Sequence, residues 1–378
     1  MKVLVTGANG FIGKNLIFHL QEEKDIEIIK FDIDTPFDVI EKNIESIDFI
    51  YHLAGVNRPK NITEFKEGNA DLTERIIDLI NMHNLKIPFL ITSSIQAALD
   101  NDYGKSKKMA EDIVMKYGKN APAYIFRLHN VFGKWCRPNY NSVVATFCNN
   151  IANDLDIQIS DPSIELTLIY IDDIVNEFIN ILYGKKTTNY DGQFYYISPR
   201  YNVTLGELAS YIKSFKDNME SIFVPNTGNE FIKKLFSTYI SYVPLQDLVT
   251  TAKMNIDDRG SFTELVKTNE CGQFSISVSK PGIIRGNHYH HTKIEKFIVI
   301  QGTAKIRFTN ILDNSSYEFL VDDKNIKIIT IPVGYTHNIE NIGNNEMILF
   351  MWCNELFNPE APDTSFKQVN NENIKRIL

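Results

Sequence analysis

The sequence lacks several features that would place it in common classes of protein. Its 378 residues include only four cysteines and no Cys-x-x-Cys pair, so neither a disulfide framework nor a zinc-thiolate site is expected. The formal net charge is -8, and lysine and arginine form no basic run, which disfavours nucleic-acid binding. No apolar stretch approaches the roughly 18 residues of a membrane span, and no signal-like segment precedes the first strand-like run. We therefore expect a soluble, cytoplasmic protein.

The residues that are present suit two domains. The first, predicted to span residues 1–245, alternates β-branched runs with amphipathic stretches, which indicates β-α-β units and a parallel sheet. Its predicted strands are Lys2–Thr6, Ile26–Phe31, Asp48–Leu53, Pro88–Thr92 and Ala123–Leu128, and its predicted helices are Phe11–Glu22, Asn69–His83 and Tyr103–Tyr117.

The second predicted domain, residues 246–378, has a different pattern. Short alternating strands are separated by turn residues, which predicts an antiparallel sandwich or barrel. The predicted strands are Gln273–Val278, Lys296–Gln301, Ala304–Phe308, Lys327–Ile331 and Met347–Trp352.

A glycine-rich turn follows the first predicted strand directly. Glycines permit a tight turn and a close approach of the backbone to a pyrophosphate, which the N-terminus of the next helix attracts. The arrangement predicts a dinucleotide cofactor in contact with Gly7, Asn9, Gly10, Phe11, Ile12 and Gly13.

Asp32 ends the second predicted strand, about twenty residues further on. A carboxylate there can accept hydrogen bonds from the hydroxyls of the adenine ribose, which favours NAD over NADP. Lys14 could instead meet a ribose phosphate, so the choice of cofactor stays open.

A tyrosine and a lysine four residues apart begin a later predicted helix. Tyr103 and Lys107 share one helical face, and an ammonium near a phenol lowers the phenol pKa, which suits proton exchange with a carbonyl or an alcohol. Ser93 and Ser94 end the preceding strand, where a hydroxyl can orient the same carbonyl oxygen. We predict a catalytic set of Tyr103, Lys107 and one of these two serines.

These residues resemble the extended short-chain dehydrogenase/reductase family. The runs at 52–55, 127–133 and 170–175 also match positions usual in that family. The resemblance implies a Rossmann-like fold and very often a nucleotide-sugar substrate. It also implies cofactor contacts from Leu53, Ala54 and Gly55. The short segment between the serines and Tyr103 departs from most members and leaves Ser93 and Ser94 as alternatives.

Three histidines and a glutamate stand out in the second domain. His288 and His290 would share one face of a strand, and Glu295 and His337 would arrive from neighbouring strands. Such a set suits zinc, iron, manganese or nickel. The spacing resembles the two motifs of the cupin family, although the second motif lacks its leading glycine. This resemblance implies a metal-binding β-helix barrel, or jelly roll.

A reductase placed ahead of a cupin resembles a family of bifunctional enzymes of capsular polysaccharide synthesis, and the resemblance covers essentially the whole chain. It implies NADPH as cofactor, with NADH possible, zinc or another divalent transition metal in the cupin, and a homodimer. Substrate contacts are implied for Asn130, Arg137, Asn139, Arg259 and Arg285.

The same resemblance implies two chemical steps. The cupin would epimerise a UDP-linked 4-keto-6-deoxy-N-acetyl-hexose at C3, and the reductase would then reduce the C4 ketone. The product would be UDP-N-acetyl-6-deoxy-L-talosamine, on the route to N-acetyl-L-fucosamine for capsule or O-antigen. His291, Lys296 and Tyr335 are alternative bases for the first step.

Two other interpretations of the sequence remain. The first is an NAD-dependent nucleotide-sugar epimerase or dehydratase whose cupin serves only for binding or dimerisation. The second makes the cupin a metal dioxygenase, because the same ligands can hold iron.

Overall fold

The protein is described by a computed structural model that covers residues 1–59, 61–185 and 190–377. The chain forms two compact units. One contains residues 1–213 and 234–244, and the other contains residues 214–233 and 245–378.

The chain up to residue 244 alternates strands and helices, as predicted. The helices are α1 (Phe11–Glu22), α2 (Asp38–Glu41), α3 (Thr63–Lys66), α4 (Leu72–Met82), α5 (Asp102–Tyr117), α6 (Val143–Ala152), α7 (Ile171–Leu182), α8 (Leu205–Glu220) and α9 (Glu230–Ile240). The strands are β1 (Lys2–Thr6), β2 (Glu27–Phe31), β3 (Phe49–His52), β4 (Phe89–Ser94), β5 (Ala123–Leu128), β6 (Asn130–Phe132), β7 (Glu165–Tyr170) and β8 (Tyr201–Thr204).

A parallel five-stranded sheet organises this unit, with strand order β2-β1-β3-β4-β5. Both faces of the sheet are covered, because Val3 and Val5 of β1 join one apolar core and Leu4, between them, joins another. The predicted Rossmann-like fold is confirmed. In such a sheet the carboxyl ends of the strands form the ligand-binding edge.

Local boundaries differ from the prediction at two places near that edge. Strand β4 continues to Ser94, two residues beyond its predicted end. The helix predicted to begin at Asn69 begins earlier, because α3 continues through a π-helical turn, Glu67–Asp71, into α4 without a break. Such turns commonly mark functional sites.

Apart from residues 214–233, which include parts of α8 and α9, the second unit is built mainly of strands. They are β9 (Met254–Asp257), β10 (Gly260–Thr268), β11 (Gly272–Ser279), β12 (Ile284–Tyr289), β13 (Glu295–Gln301), β14 (Thr303–Asn310), β15 (Ser316–Asp322), β16 (Ile328–Ile331), β17 (Tyr335–Asn341), β18 (Met347–Cys353), β19 (Ser365–Phe366) and β20 (Lys375–Arg376).

These strands form two six-stranded sheets, ordered β16-β13-β18-β11-β10-β9 and β19-β12-β17-β14-β15-β20. Phe297 and Leu349 of the first sheet join Ile306 and Ile339 of the second in one buried core. The predicted antiparallel sandwich is confirmed, and its fold is cupin-like.

Candidate functional site

In the glycine turn, backbone atoms approach Gly7 and Gly13 so closely that no side chain fits at either position. Gly7 has a φ of 65°, and a Cβ on it would lie 2.7 Å from the Ala54 nitrogen. A Cβ on Gly13 would lie 2.1 Å from the Gly7 carbonyl oxygen. Helix α1 therefore begins directly at the turn, with Phe11 and Ile12 packed against the core.

The N-terminus of α1 fits a dinucleotide phosphate group. Gly10 is the N-cap residue and supplies no side-chain acceptor to the first N–H groups of the helix. These donors, together with the positive end of the helix dipole, form an anion site. The residues present therefore fit the predicted nicotinamide cofactor.

Asp32 lies beside this turn, and its carboxylate is fixed in place. It accepts hydrogen bonds from the backbone N–H of Asn9 at 2.7 Å and of Ile33 at 2.8 Å. The carboxylate therefore stands at the end of β2, where the prediction placed the ribose of the cofactor.

A chain of hydrogen bonds links the turn to α4 through buried His52. Thr73 donates its hydroxyl hydrogen to the Asn69 carbonyl at 2.6 Å, so it accepts from His52 Nε2 at 2.9 Å. His52 Nδ1 then accepts from the Thr6 hydroxyl at 2.8 Å, and that hydroxyl accepts from the Ala54 N–H at 3.1 Å. Burial, with Lys107 nearby, lowers the pKa of His52 to about 3, so the ring stays neutral.

Tyr103, Lys107 and Ser94 meet at the carboxyl end of β4. The Ser94 side chain lies within hydrogen-bonding range of the Tyr103 phenol, and the Lys107 ammonium lies 6.0 Å from the centre of the tyrosine ring. Lys107 donates to the Thr92 carbonyl at 3.2 Å. Burial lowers the pKa of Lys107 to about 8, although Glu111 opposes the shift.

The expected lowering of the Tyr103 pKa is wrong for the protein without ligands. Burial raises that pKa, because it disfavours the tyrosinate, and the hydrogen bond with Ser94 only partly opposes the shift. The phenol is therefore the proton-carrying form, as a group that protonates a developing alkoxide must be.

Ser93 has a different partner, which the sequence analysis missed. Its hydroxyl donates to Glu111 at 2.7 Å, and Arg127 donates to the same carboxylate at 2.8 and 2.7 Å. Glu111 is fully buried. The geometry therefore favours Ser94 as the serine of the catalytic set and gives Ser93 a structural contact.

Gly55, Asn69 and Lys107 are packed so closely that no side chain fits at position 55. A Cβ on Gly55 would lie 2.8 Å from the Lys107 ammonium and 2.9 Å from the Asn69 amide oxygen. Asn69 also pairs with the backbone of Val56 and with Ser106. Leu53 packs against the core beside this loop.

Two arginines lie near the ring of Tyr140. Arg137 and Arg58 lie 5.1 and 5.5 Å from the centre of the Tyr140 ring. Asn139 has a φ of 54° and donates its backbone N–H to Thr146 at 3.0 Å. Asn130, also predicted to contact substrate, is exposed at the start of β6.

In the second unit, the four predicted metal ligands converge. Donor atoms of His288, His290, Glu295 and His337 all lie within 4.8 Å of one another. His337 lies on β17, next to the His288 strand as predicted. Glu295 lies on β13 in the opposite sheet, so the expectation of a neighbouring strand is wrong for it.

The two histidines lie at the end of β12. The strand ends at Tyr289, so His288 lies within it and His290 directly follows it. The pairing of β12 with β17 shifts at Asn287, just before His288, where φ is 60°. The ring centres of His288 and His290 lie 4.9 Å apart.

The buried donor atoms of this cluster lack hydrogen-bond partners. His337 Nε2 lies 3.1 Å and His290 Nε2 lies 3.4 Å from Glu295 Oε2, but within the described parts of the chain none of these atoms has a hydrogen-bond partner. Orphaned buried polar atoms are costly, and a cation between them removes the cost. The cluster therefore fits a divalent metal.

Protonation states and outer contacts support the same fit. Burial would raise the pKa of Glu295, but His290 and His337 outweigh it and hold that pKa below its usual range. Burial, followed by His337, lowers the pKa of His288 to about 4. His290 and His337 turn Nδ1 toward the carbonyls of Asp363 and Tyr335, which leaves Nε2 facing the cluster.

The remaining predicted residues of this unit have partners of their own. Arg259 donates to Asp257 at 3.0 and 2.6 Å, and Arg285, which donates to Ser279 at 3.0 Å, lies 3.7 Å from the same aspartate. Among the candidate bases, Lys296 donates to Thr330, and the Tyr335 hydroxyl accepts from Asn310.

Together, the fold and the two sites define a class: a nicotinamide-dependent enzyme with a Rossmann-like unit joined to a cupin-like β-sandwich. The family model for the NAD dependent epimerase/dehydratase family matches residues 3–191, and that for the polysaccharide biosynthesis C-terminal domain matches residues 255–365.

Relatives that match along the whole chain narrow this class. The UDP-2-acetamido-2,6-beta-L-arabino-hexul-4-ose reductase of Pseudomonas aeruginosa is 45% identical over 96% of this chain and 98% of the relative. The crystal structure of the capsular polysaccharide assembling protein CapF from Staphylococcus aureus superposes with a TM-score of 0.90 at 44% identity, over 98% of this chain and 100% of that one.

A CapF structure with the inhibitor 3-isopropenyl-tropolone superposes with a TM-score of 0.84 at 40% identity, over 98% of this chain and 100% of that chain. The protein therefore belongs to the CapF family of nucleotide-sugar enzymes. In the described parts of the chain, none of the helices is both long and apolar enough to cross a membrane.

Proposed function

We propose that this protein converts a UDP-linked 4-keto-6-deoxy-N-acetyl-hexose in two steps. The cupin-like unit epimerises C3, and the Rossmann-like unit then reduces the C4 ketone with NADPH. The product is UDP-N-acetyl-6-deoxy-L-talosamine for capsule or O-antigen synthesis. We also propose that the protein is a homodimer and that it acts in the cytoplasm.

The observation that carries the reductase step is the meeting of Ser94, Tyr103 and Lys107. Ser94 orients the ketone oxygen, and the protonated phenol of Tyr103 gives it a proton as the alcohol forms. The buried Lys107 ammonium stabilises the negative charge left on the phenol oxygen. The cofactor, when bound, supplies the hydride. The relative from Pseudomonas aeruginosa is named as a reductase of a UDP-linked keto sugar, which supports this substrate class.

The proposed metal ligands support the epimerase step. A bound divalent cation supplies a Lewis acid for an oxygen next to the reacting carbon. The C3 proton is acidic only while the neighbouring ketone can take up negative charge as an enolate. Epimerisation must therefore precede reduction. The inhibitor named with one CapF structure is a tropolone, a class of compound whose adjacent oxygens chelate metals, which is consistent with a metal in that protein.

The experiment is solvent exchange in deuterated water with the full chain, the UDP-4-keto sugar and no NADPH. We expect deuterium at C3, detected by mass spectrometry and NMR. Tyr103→Phe should abolish NADPH oxidation and leave the exchange intact. His337→Ala should abolish the exchange, while NADPH oxidation survives on substrate that is already epimerised. Absence of exchange in the wild-type chain would contradict the proposed first step.

Asp32 favours one alternative, an epimerase or dehydratase that keeps NAD bound through its cycle with a non-catalytic cupin. Its fixed carboxylate suits a ribose hydroxyl better than a phosphate. Consumption of one NADPH per sugar would exclude this alternative, because a cycle that regenerates its cofactor consumes none.

A further inference from the structure

The segment 363–369, called the strap below, crosses the strands that carry the proposed metal ligands. Its strand β19 pairs with β12, placing Phe366 opposite His288. The Lys367 N–H donates to the Asn287 carbonyl at 3.0 Å, and the Lys367 carbonyl accepts from the Thr336 hydroxyl, next to His337. The strap therefore contacts both ligand strands of its sheet.

Asp363 begins the strap and contacts the ligand-bearing turn in two ways. Its backbone carbonyl accepts the hydrogen bond from His290 Nδ1. Its carboxylate accepts from the backbone N–H groups of His291 at 2.9 Å, Thr292 at 2.6 Å and Lys293 at 2.8 Å. The Thr292 hydroxyl also donates to it at 3.0 Å.

The turn held in this way connects two of the four ligands. His290 precedes it and Glu295 follows it, so its shape sets the distance between their donor atoms. The three N–H groups point at one carboxylate and would otherwise need other acceptors. A carboxylate bound to several N–H groups is a strong, charge-assisted contact. Burial would raise the pKa of Asp363, yet these donors hold that pKa well below its usual range.

We infer that Asp363 is a positioning residue for the metal centre. It fixes the 291–293 turn through its carboxylate and orients His290 through its carbonyl, so that the ligand geometry exists before a metal arrives. The inference rests on the proposed metal site, and nothing in the four-ligand pattern itself points to residue 363.

The test measures zinc affinity of the full chain by competition with a chromophoric chelator. Loss of an outer-shell partner typically weakens metal binding 10- to 100-fold, and we expect a loss in about that range for Asp363→Ala. Asp363→Asn keeps one acceptor oxygen, so it should lie between Asp363→Ala and the wild type. Asp322→Ala is the matched control, because the Asp322 carboxylate accepts the N–H groups of Lys324 and Asn325 in another turn of the same unit. The control should bind zinc as the wild type does.

A second readout separates positioning from general stability. Cobalt(II) bound in place of zinc reports its coordination geometry in its visible absorption. The cobalt bands of Asp363→Asn should shift, and those of the control should match the wild type. Unchanged affinity and unchanged cobalt spectra in the Asp363 variants would overturn the inference and leave the proposed metal site standing. A wild-type chain that binds neither metal would overturn both.

Discussion

The two sites differ in how many of their polar groups have hydrogen-bond partners within the protein. In the Rossmann-like unit, His52 has both ring nitrogens paired, and each serine has a partner. In the cupin-like unit, His290, Glu295 and His337 keep buried donor atoms without a hydrogen-bond partner among the described residues. The difference is the one that the proposal expects, with substrate and cofactor that come and go at the first site and a resident metal ion at the second.

The largest expected effect separates the two serines of the first site. Ser94→Ala should lower kcat for NADPH-dependent reduction by about 10²-fold, the usual range for one lost donor to a developing oxyanion. Ser93→Ala should leave kcat within about threefold and reduce stability by about 1 kcal/mol, because it removes one hydrogen bond to Glu111. Steady-state kinetics and urea unfolding measure the two effects. The reverse pattern would show that Ser93 contacts the substrate.

Metal removal should affect only the second site. Dialysis against a chelator should destabilise the cupin-like unit by about 2.7 kcal/mol if the metal is normally present at about 100 times its Kd. NADPH should instead stabilise the Rossmann-like unit. Hydrogen exchange followed by mass spectrometry assigns each change to its unit. The comparison fails if chelation leaves exchange around His337 unchanged.

Acid should weaken the first site through His52. Its pKa of about 3 in the folded protein lies below the usual histidine value of 6.5, so between these two pH values the unfolded chain takes up a proton that the folded protein does not. The free energy of unfolding therefore decreases as the pH falls from about 6 to about 3, by up to about 1.4 kcal/mol per pH unit.

His52→Gln provides the comparison for this titration, because glutamine takes up no proton. The stability advantage of the wild type over the variant should shrink as the pH falls, and urea unfolding of both chains at several pH values measures it. A constant difference would show that His52 has the same pKa in the folded and the unfolded chain.

The smallest expected effect concerns the choice of cofactor. Asp32→Ser removes a carboxylate that opposes a ribose phosphate, and it should raise the ratio of kcat/KM for NADPH to that for NADH about fivefold, or about 1 kcal/mol. The Asn9 N–H keeps an acceptor if the serine hydroxyl reaches it. An unchanged ratio would place the ribose away from Asp32.

Local signals predicted the first site better than the second. Helix α1 has the predicted bounds, because the glycine turn before it determines the residue at which the helix begins. Tyr103 and Lys107 are found on one helix as their spacing required. Ser93 and Ser94 could not be separated, because the short segment before Tyr103 departs from most family members and the end of β4 was placed two residues early.

Contacts between distant parts of the chain were beyond the sequence analysis. The pairing of Glu111 with Arg127 joins a helix to a strand, and a buried carboxylate looks like any helical glutamate in the sequence. The bulge at Asn287 and the position of Glu295 in the opposite sheet depend on how the strands pair. The cupin motif still identified the four clustered residues, because its residue spacing is typical of a fold in which the strands bring these residues together.

The hydrogen bond between His290 and Asp363 joins positions 73 residues apart. Once a ribosome has translated His337, all four proposed ligands exist, but the residue that orients His290 has not yet been made. If Asp363 has the proposed role, an ion captured at that stage would be held less firmly than in the chain that contains Asp363. A chain that stops after residue 362 would then keep all four proposed ligands and bind zinc more weakly than the full chain.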